Sequence, residues 1–309
     1  MGDRFKRYEA ATQQLLPRRT YTIMRLDGKA FHTLTGGMDK PFDENLAWVM
    51  DQVAIKLGSE VQGTVFGYTQ SDEISFLLQD FESIGTEAWF DGNVQKMTSI
   101  SAAIASVFFN GLGLSTQRGT ALFDSRVFTI SDPVEVANYF IWRQRDAVRN
   151  SILALAQAQF GPKRVHGVNT TNLLHMLDDE GVHWTEMPGR FTHGSLVFKY
   201  EYYVDPFPPT REVALRTGWK TVPVDDGWTV DHLMPLIPQL ATPSYVPLEV
   251  LEGLPIPGRP VPPMDGFMVG SAKADVAQNA EGEDRQSNPE PAKSHPGTDT
   301  ERSQTAEDR

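Results

Sequence analysis

Along residues 1–204 the apolar positions switch between two periods, and the switches mark out the elements. Residues 21–26 (Tyr-Thr-Ile-Met-Arg-Leu) form a short apolar run that stops at Asp27-Gly28, a turn signal, and predict a strand. In residues 44–57 the side chains Leu46, Val49, Met50, Val53, Ala54 and Leu57 recur at helical spacing. Residues 61–78 carry two β-type runs separated by Thr69-Gln70-Ser71-Asp72-Glu73, the pattern of a hairpin. A long helix is predicted over 93–112, with Ile100, Ala103, Ile104, Val107 and Phe108 on one face, followed by a strand over 121–130. Asp132-Pro133 opens a helix running to about residue 159, because proline is favoured at the first helical position. Thr170 and Thr171 are read as the cap of a shorter helix, and 195–203 as a final strand.

The first six elements run β-α-β-β-α-β, the order of the ferredoxin-like split βαβ arrangement, so the expected class is α+β with extra helices and a C-terminal extension. That order alone carries no function. Beyond it, residues 205–269 read as an irregular extension, crowded with proline over 235–263. After Phe267 there is no aromatic residue, and 270–309 is expected to be a disordered acidic tail, since so polar a segment cannot offset its ordering entropy.

The chain has no cysteine, which excludes a disulfide scaffold, a thiolate nucleophile and a cysteine-based zinc site. No apolar run reaches the roughly 18–20 residues of a membrane span, and residues 1–6 lack the apolar stretch of a signal peptide; a soluble cytoplasmic protein is the expectation. The net charge of −12 argues at first against a nucleic-acid partner. Its distribution weakens that argument: residues 1–204 hold 19 basic and 23 acidic side chains, and −8 of the total lies beyond them. Two stretches are basic, one with Arg4, Lys6, Arg7, Arg18 and Arg19, the other with Arg143, Arg145, Arg149, Lys163 and Arg164.

In the expected fold β1 and β3 are antiparallel neighbours, so Asp27 at the end of one and Asp72-Glu73 at the start of the other share a sheet edge. Two carboxylates there, with the Gly28 carbonyl, could hold hard divalent cations and support palm-type nucleotidyl transfer with two metals. A tight Asp-Gly turn and a solvated hairpin tip explain the same residues, and the pattern alone leaves both open. Gly28-Lys29 is not a P-loop, because the upstream glycine and the following Ser/Thr are missing. No two histidines pair at metal-ligand spacing; His175 and His183 read as structural or exposed. Tyr139, Phe140 and Trp142 read as core. Arg143, Arg145 and Arg149, on the same helix, are candidates for phosphate contacts to triphosphate or RNA.

Four strings together resemble the tRNA-histidine guanylyltransferase family: Arg25-Leu-Asp-Gly-Lys-Ala-Phe-His32, Lys40-Pro-Phe-Asp43, Gly67-Tyr-Thr-Gln-Ser-Asp-Glu-Ile-Ser-Phe76 and Tyr139-Phe-Ile-Trp-Arg-Gln-Arg-Asp146. The likeness covers roughly residues 4–204 and implies a polymerase-like palm that extends RNA in the 3′-to-5′ direction. By the resemblance, Asp27, the Gly28 carbonyl and Asp72 are ligands of two Mg²⁺ ions. Lys29, Ala30, Phe31 and His32 line a nucleoside triphosphate (ATP or GTP), with Ser71 contributing. Lys40 serves the activation step, with Lys96 doing similar work; Glu73 supports the second ligand. Asn150 is kept from the family's His-Ile-Asn-Asn-type string, whose histidine position holds Val148 here. That departure resembles the bacterial and archaeal like-protein branch, which favours templated 5′-end repair of tRNA. Partners implied are tRNA and nucleoside triphosphates, no membrane, and a homotetramer built as a dimer of dimers. Two other readings stay open: a palm-type nucleotide cyclase or cyclic-dinucleotide synthase, although no GGDEF-type turn is present, and a non-catalytic tRNA-binding module.

Overall fold

The computed structural model describes residues 1–114, 119–204 and 214–239. Its strands are β1 (Tyr21–Gly28), β2 (Thr64–Gln70), β3 (Glu73–Leu78), β4 (Phe123–Ile130), β5 (Ser195–Val204) and β6 (Ala214–Pro223). The helices are α1 (Gly2–Ala10), α2 (Phe31–Leu34), α3 (Glu44–Glu60), α4 (Val94–Gly111), α5 (Pro133–Phe160), α6 (Pro162–Val165), α7 (Thr170–Asp179), α8 (Gly189–Thr192) and α9 (Val230–Leu233). The strands form one antiparallel sheet in the order β4-β1-β3-β2-β5-β6. Its first four members, with α3 and α4 as the crossovers, are the β-α-β-β-α-β arrangement expected from the sequence.

Both faces of the sheet are covered, which is why β3 is buried at all six of its positions instead of alternating. Successive residues of a strand point to opposite faces. Met24, Leu26, Ile74 and Phe76 accordingly pack in one cluster with Val53 and Leu57 of α3 and Phe109 of α4. Tyr21, Ile23 and Leu77 pack in another with Val136 and Phe140 of α5. Side-chain caps set the helix starts: Asp43 accepts from Leu46 N, Asn93 from Lys96 N and Asp132 from Val134 N, with Pro133 opening α5 as expected. The cap of α7 is Asn169, which accepts from Asn172 N, rather than Thr170 or Thr171.

Other sequence expectations are revised. The buried face of α4 is Met97, Ser101, Ala105 and Phe109; of the apolar stripe read from the sequence, Ile104 and Phe108 pack partly buried against the core, whereas Ile100, Ala103 and Val107 are exposed, so the stripe straddles the edge of that face. Trp142 is 54% exposed, while its neighbours Tyr139 and Phe140 are buried. Within 205–269 the described part is not irregular: β6 pairs with β5 over ten positions, and Leu233 and Ile237 insert into the cluster under α5. The structure thus carries the sheet past residue 204. The 240–309 remainder, including the expected tail, lies outside the described residues.

Candidate active site

β1 ends where the β2–β3 turn begins, and this places the carboxylates. Asp27 is in register with Glu73 on β3 and with Asp124 on β4. Gly28 N donates to the Asp72 carbonyl at 3.1 Å, tying the two turns together. Gly28 is required by packing, since a Cβ there would lie 2.3 Å from the Phe31 ring. On the turns bounding the site, Ala30 (φ 54°) and Ser71 (φ 48°) both hold left-handed backbone, a conformation costly for residues with a Cβ and concentrated at functional sites.

The neighbouring acids Asp72 and Glu73 have different surroundings. Glu73, 4% exposed, accepts from Arg143 at 2.7 and 2.6 Å and pairs with Arg25 at 2.6 Å. Arg143 also reaches Asp146 at 3.0 Å, and Tyr139 shares a 2.9 Å hydrogen bond with Ser75 beside them. Asp72 has no such cation among the described residues; its carboxylate accepts from the Ser71 hydroxyl, at 3.1 Å, and from its own backbone N–H. Burial and then the Asp27 charge push its pKa up to about 6.

That state fits a divalent cation. The donors are hard oxygens carrying net negative charge with no side-chain cation at Asp72, and a cation would relieve the repulsion. Among the described residues no group of three or more His, Cys, Asp or Glu could hold a metal ion. A metal here therefore needs the Gly28 carbonyl and substrate oxygens as well, which is how Mg²⁺ is usually held beside phosphates.

Beside Asp72 lies a cavity of about 420 Å³ lined by Gly28, Ala30, Phe31, His32, Lys40 and Ser71 among others. The backbone N–H groups of Ala30, Phe31 and His32 make no hydrogen bond within the described residues, leaving three donors at its wall. Phe31 is anchored by edge contacts to Phe109 and Phe123. A second cavity of about 180 Å³ shares Lys40 and Ser71 with the first and adds Phe42, Gln70, Asn150, Arg190 and Phe191. The Phe42 and Phe191 rings stack at 4.9 Å and 6°. Arg190, whose Nε is 2.9 Å from Asp51 Oδ1, is held there with its pKa lowered by burial. Arg190 and Phe191 escaped sequence reading because no local pattern joins them to Phe42 or to the β2–β3 turn.

The structure therefore brings together Asp27, Gly28, Asp72, Ala30, Phe31, His32, Lys40, Ser71 and, in the adjoining cavity, Asn150. Lys29 follows the strand end, its N–H donating to Leu122 O, and does not line the cavity. Arg143 is corrected as a phosphate contact: it is 3% exposed and committed to Glu73 and Asp146. Arg149 pairs with Asp146 on the surface, and Arg145 is exposed with no ion pair among the described residues. Lys96, exposed in the first turn of α4, lines neither cavity; five residues on, Ser101 hydrogen-bonds Ser125, which is opposite Leu26 on β1.

Comparison with known proteins agrees with this geometry. The family model described as "Thg1: tRNAHis guanylyltransferase" matches residues 2–131. Protein R259 of Acanthamoeba polyphaga mimivirus is 29% identical over 225 residues, covering 64% of this chain and 77% of its own. A probable tRNA(His) guanylyltransferase of Drosophila melanogaster is 25% identical over 201 residues, 60% of this chain and 68% of its own. Among solved structures, a bacterial tRNA(His) guanylyltransferase (Thg1)-like protein in complex with ATP is 35% identical, with a TM-score of 0.64 over 72% of this chain and 91% of that one. The like protein in complex with GTP is 34% identical, with a TM-score of 0.63 over 76% and 97%.

Proposed function

The chain belongs to the tRNAHis guanylyltransferase family, a family of nucleotidyltransferases, and from that premise we propose that it adds nucleotides to the 5′ end of tRNA in the 3′-to-5′ direction. The observation that carries the reading is the pair Asp27 and Asp72 at one sheet edge, where Asp27 has only a long 3.9 Å contact to Arg25 among the described residues and Asp72, without a cation there, lines a cavity with Lys40 and His32. Asp27, Asp72 and the Gly28 carbonyl would hold magnesium, two ions in the full reading, which when bound supplies charge stabilisation at phosphate oxygens. The remaining work falls to the chain. Lys40, without an ion pair among the described residues, offsets triphosphate charge. The N–H groups of Ala30, Phe31 and His32, with the Ser71 hydroxyl, orient the triphosphate. The tRNA 5′-phosphate attacks the α-phosphate of ATP and pyrophosphate leaves; the 3′-hydroxyl of GTP then attacks the adenylylated 5′-phosphate, forming the new phosphodiester as AMP leaves.

Val148 packs in an apolar cluster with Ile152 and Leu155, so the position where the family string carries histidine offers no hydrogen bond to a defined base. This favours template-directed 5′-end repair over addition restricted to histidine tRNA. The assembly that goes with the reading is a homotetramer.

The test is a 5′-extension assay with purified protein, ATP, GTP and Mg²⁺ on intact histidine tRNA and on 5′-truncated tRNAs with altered template bases. Product that follows the template base is expected, and Asp27→Ala or Asp72→Ala should reduce it to the level without protein. Full activity in either variant would overturn the ligand assignment; guanylate added whatever the template would overturn the repair assignment.

A further inference from the structure

Outside the active site, the distal half of β5–β6 stands clear of the rest of the sheet. β2 pairs with β5 only from Ser195 to Phe198, whereas β5 and β6 pair from Ser195↔Pro223 to Val204↔Ala214, so the hairpin continues past the sheet as a two-stranded ribbon. The register puts Phe198, Tyr200 and Tyr202 on one face with Lys220, Gly218 and Arg216 opposite them. The other face is held to the body by Trp219, which lies against Gly58 of α3.

The free face is organised. Tyr200 and Tyr202 lie 5.4 Å apart with their planes at 30°. Lys220 Nζ sits 5.0 Å from the centroids of both the Phe198 and Tyr200 rings. A Cβ at Gly218 would approach Tyr200 to 3.0 Å, so the glycine lets that ring lie close across its partner strand. Tyr202 is 41% exposed, Arg216 and Lys220 are exposed, and neither cation has an ion-pair partner among the described residues. Glu201, the ribbon's described acid, points to the other face.

A row of solvated rings interleaved with unpaired cations is the surface chemistry that stacks bases and meets phosphates. We propose that this ribbon face binds the RNA substrate away from its reacting end, stacking unpaired bases on Tyr200 and Tyr202 while Arg216 and Lys220 meet the flanking phosphates. The proposal rests on the reading that the substrate is tRNA. Ser195 is opposite Thr69, close to the β2–β3 turn, and Tyr202 lies seven residues further on, about 23 Å at the rise of a β-strand. That exceeds the reach of a nucleoside triphosphate in the active site, so the ribbon grips RNA only.

The test measures binding of fluorescently labelled full-length tRNA to the full chain without nucleotide. The Tyr200→Ala/Tyr202→Ala double variant should raise Kd by about tenfold or more, and Tyr200→Phe, which keeps the ring, should bind as the unmodified chain does. The Arg216→Gln/Lys220→Gln double variant should reduce the slope of log Kd against log salt by roughly 0.7–0.9 for each phosphate contact removed. Unchanged Kd in both double variants would overturn the proposal. So would a shift in sedimentation with tRNA affinity kept, which would mark a contact between copies of the chain. The parallel 5′-extension assay separates the two readings. Extension by the unmodified chain with no binding loss in the variants keeps the function and removes the ribbon's role. Binding loss in the variants without any extension by the unmodified chain does the reverse.

Discussion

Asp72 and Glu73 are adjacent in the chain, and the fold treats their charges in opposite ways. Glu73 heads a buried strand and is enclosed by Arg25 and Arg143, with the remaining Arg143 valence taken by Asp146. Asp72, one residue earlier on the turn, stands beside the Asp27 charge with no ion pair among the described residues, and its pKa is pushed up to about 6 in spite of hydrogen bonds from the Ser71 hydroxyl and its own backbone. A buried charge that is fully paired holds the structure together; one left against a like charge is tolerated only where something from outside completes it. Under the proposed function, the division gives Glu73 and Arg143 to the scaffold and Asp72 and Asp27 to the chemistry, with Arg25 between them, 2.6 Å from Glu73 and 3.9 Å from Asp27.

The largest effect that tests this division is on activity. Removing either Asp27 or Asp72 should abolish 5′ extension while leaving the thermal unfolding midpoint at or above that of the unmodified chain. A variant that loses activity only because it unfolds would erase the distinction between the two acids.

Next comes the paired side. Glu73→Gln removes the buried carboxylate between two arginines, leaving the 3% exposed Arg143 with Asp146 and Arg25 with a 3.9 Å contact to Asp27, and breaking such a pair costs roughly 3–5 kcal/mol. For a domain of this size the unfolding midpoint should drop on the order of 10 °C, read by calorimetry in metal-free buffer. If Glu73→Gln unfolds at the unmodified midpoint, the arginine enclosure is not structural.

Neutralising Asp72 should act the other way. Its folded pKa, about 6, lies above the ordinary carboxylate value of 3.8. The folded state therefore holds the proton more tightly than the unfolded one between those values. Stability from this group is complete below about pH 4 and is lost as the pH rises through 6. With metal chelated, Asp72→Asn should be more stable than the unmodified chain at pH 7, by about 1–2 kcal/mol after allowing for solvent. The gain should vanish near pH 4; urea titrations at the two pH values give the comparison. A gain that persists at low pH would have a source other than the charge.

The legible part of this molecule was local. β1 through β4 and the helices between them were readable because each carries its own period and its own turn or cap, and Asp27 and Asp72 could be placed on one sheet edge because each sits at such a turn, while the pattern alone left their role open. β6 was not. Its run Ala-Leu-Arg-Thr-Gly-Trp-Lys-Thr-Val-Pro lacks apolar alternation, and it owes its existence to ten pairings with β5. Nor was α1, which buries no side chain. Arg143 was misread for a related reason: its partner Glu73 is 70 residues away, and such a pairing leaves no trace in the spacing of either segment.

The smallest expected effect concerns Lys96, where the same lesson applies to direction. A solvated lysine in the first turn of α4 looks the same in sequence whichever way the helix points. Here Lys40 lines the cavity beside Asp72, whereas Lys96, exposed in the first turn of α4, does not. Lys96→Ala should therefore cost less in the activation step than Lys40→Ala, read as the rate of 5′ adenylylation. Equal losses from the two lysines would mean that free charge anywhere on the palm serves the reaction, and the contrast between Asp72 and Glu73 would lose its meaning as a guide to function.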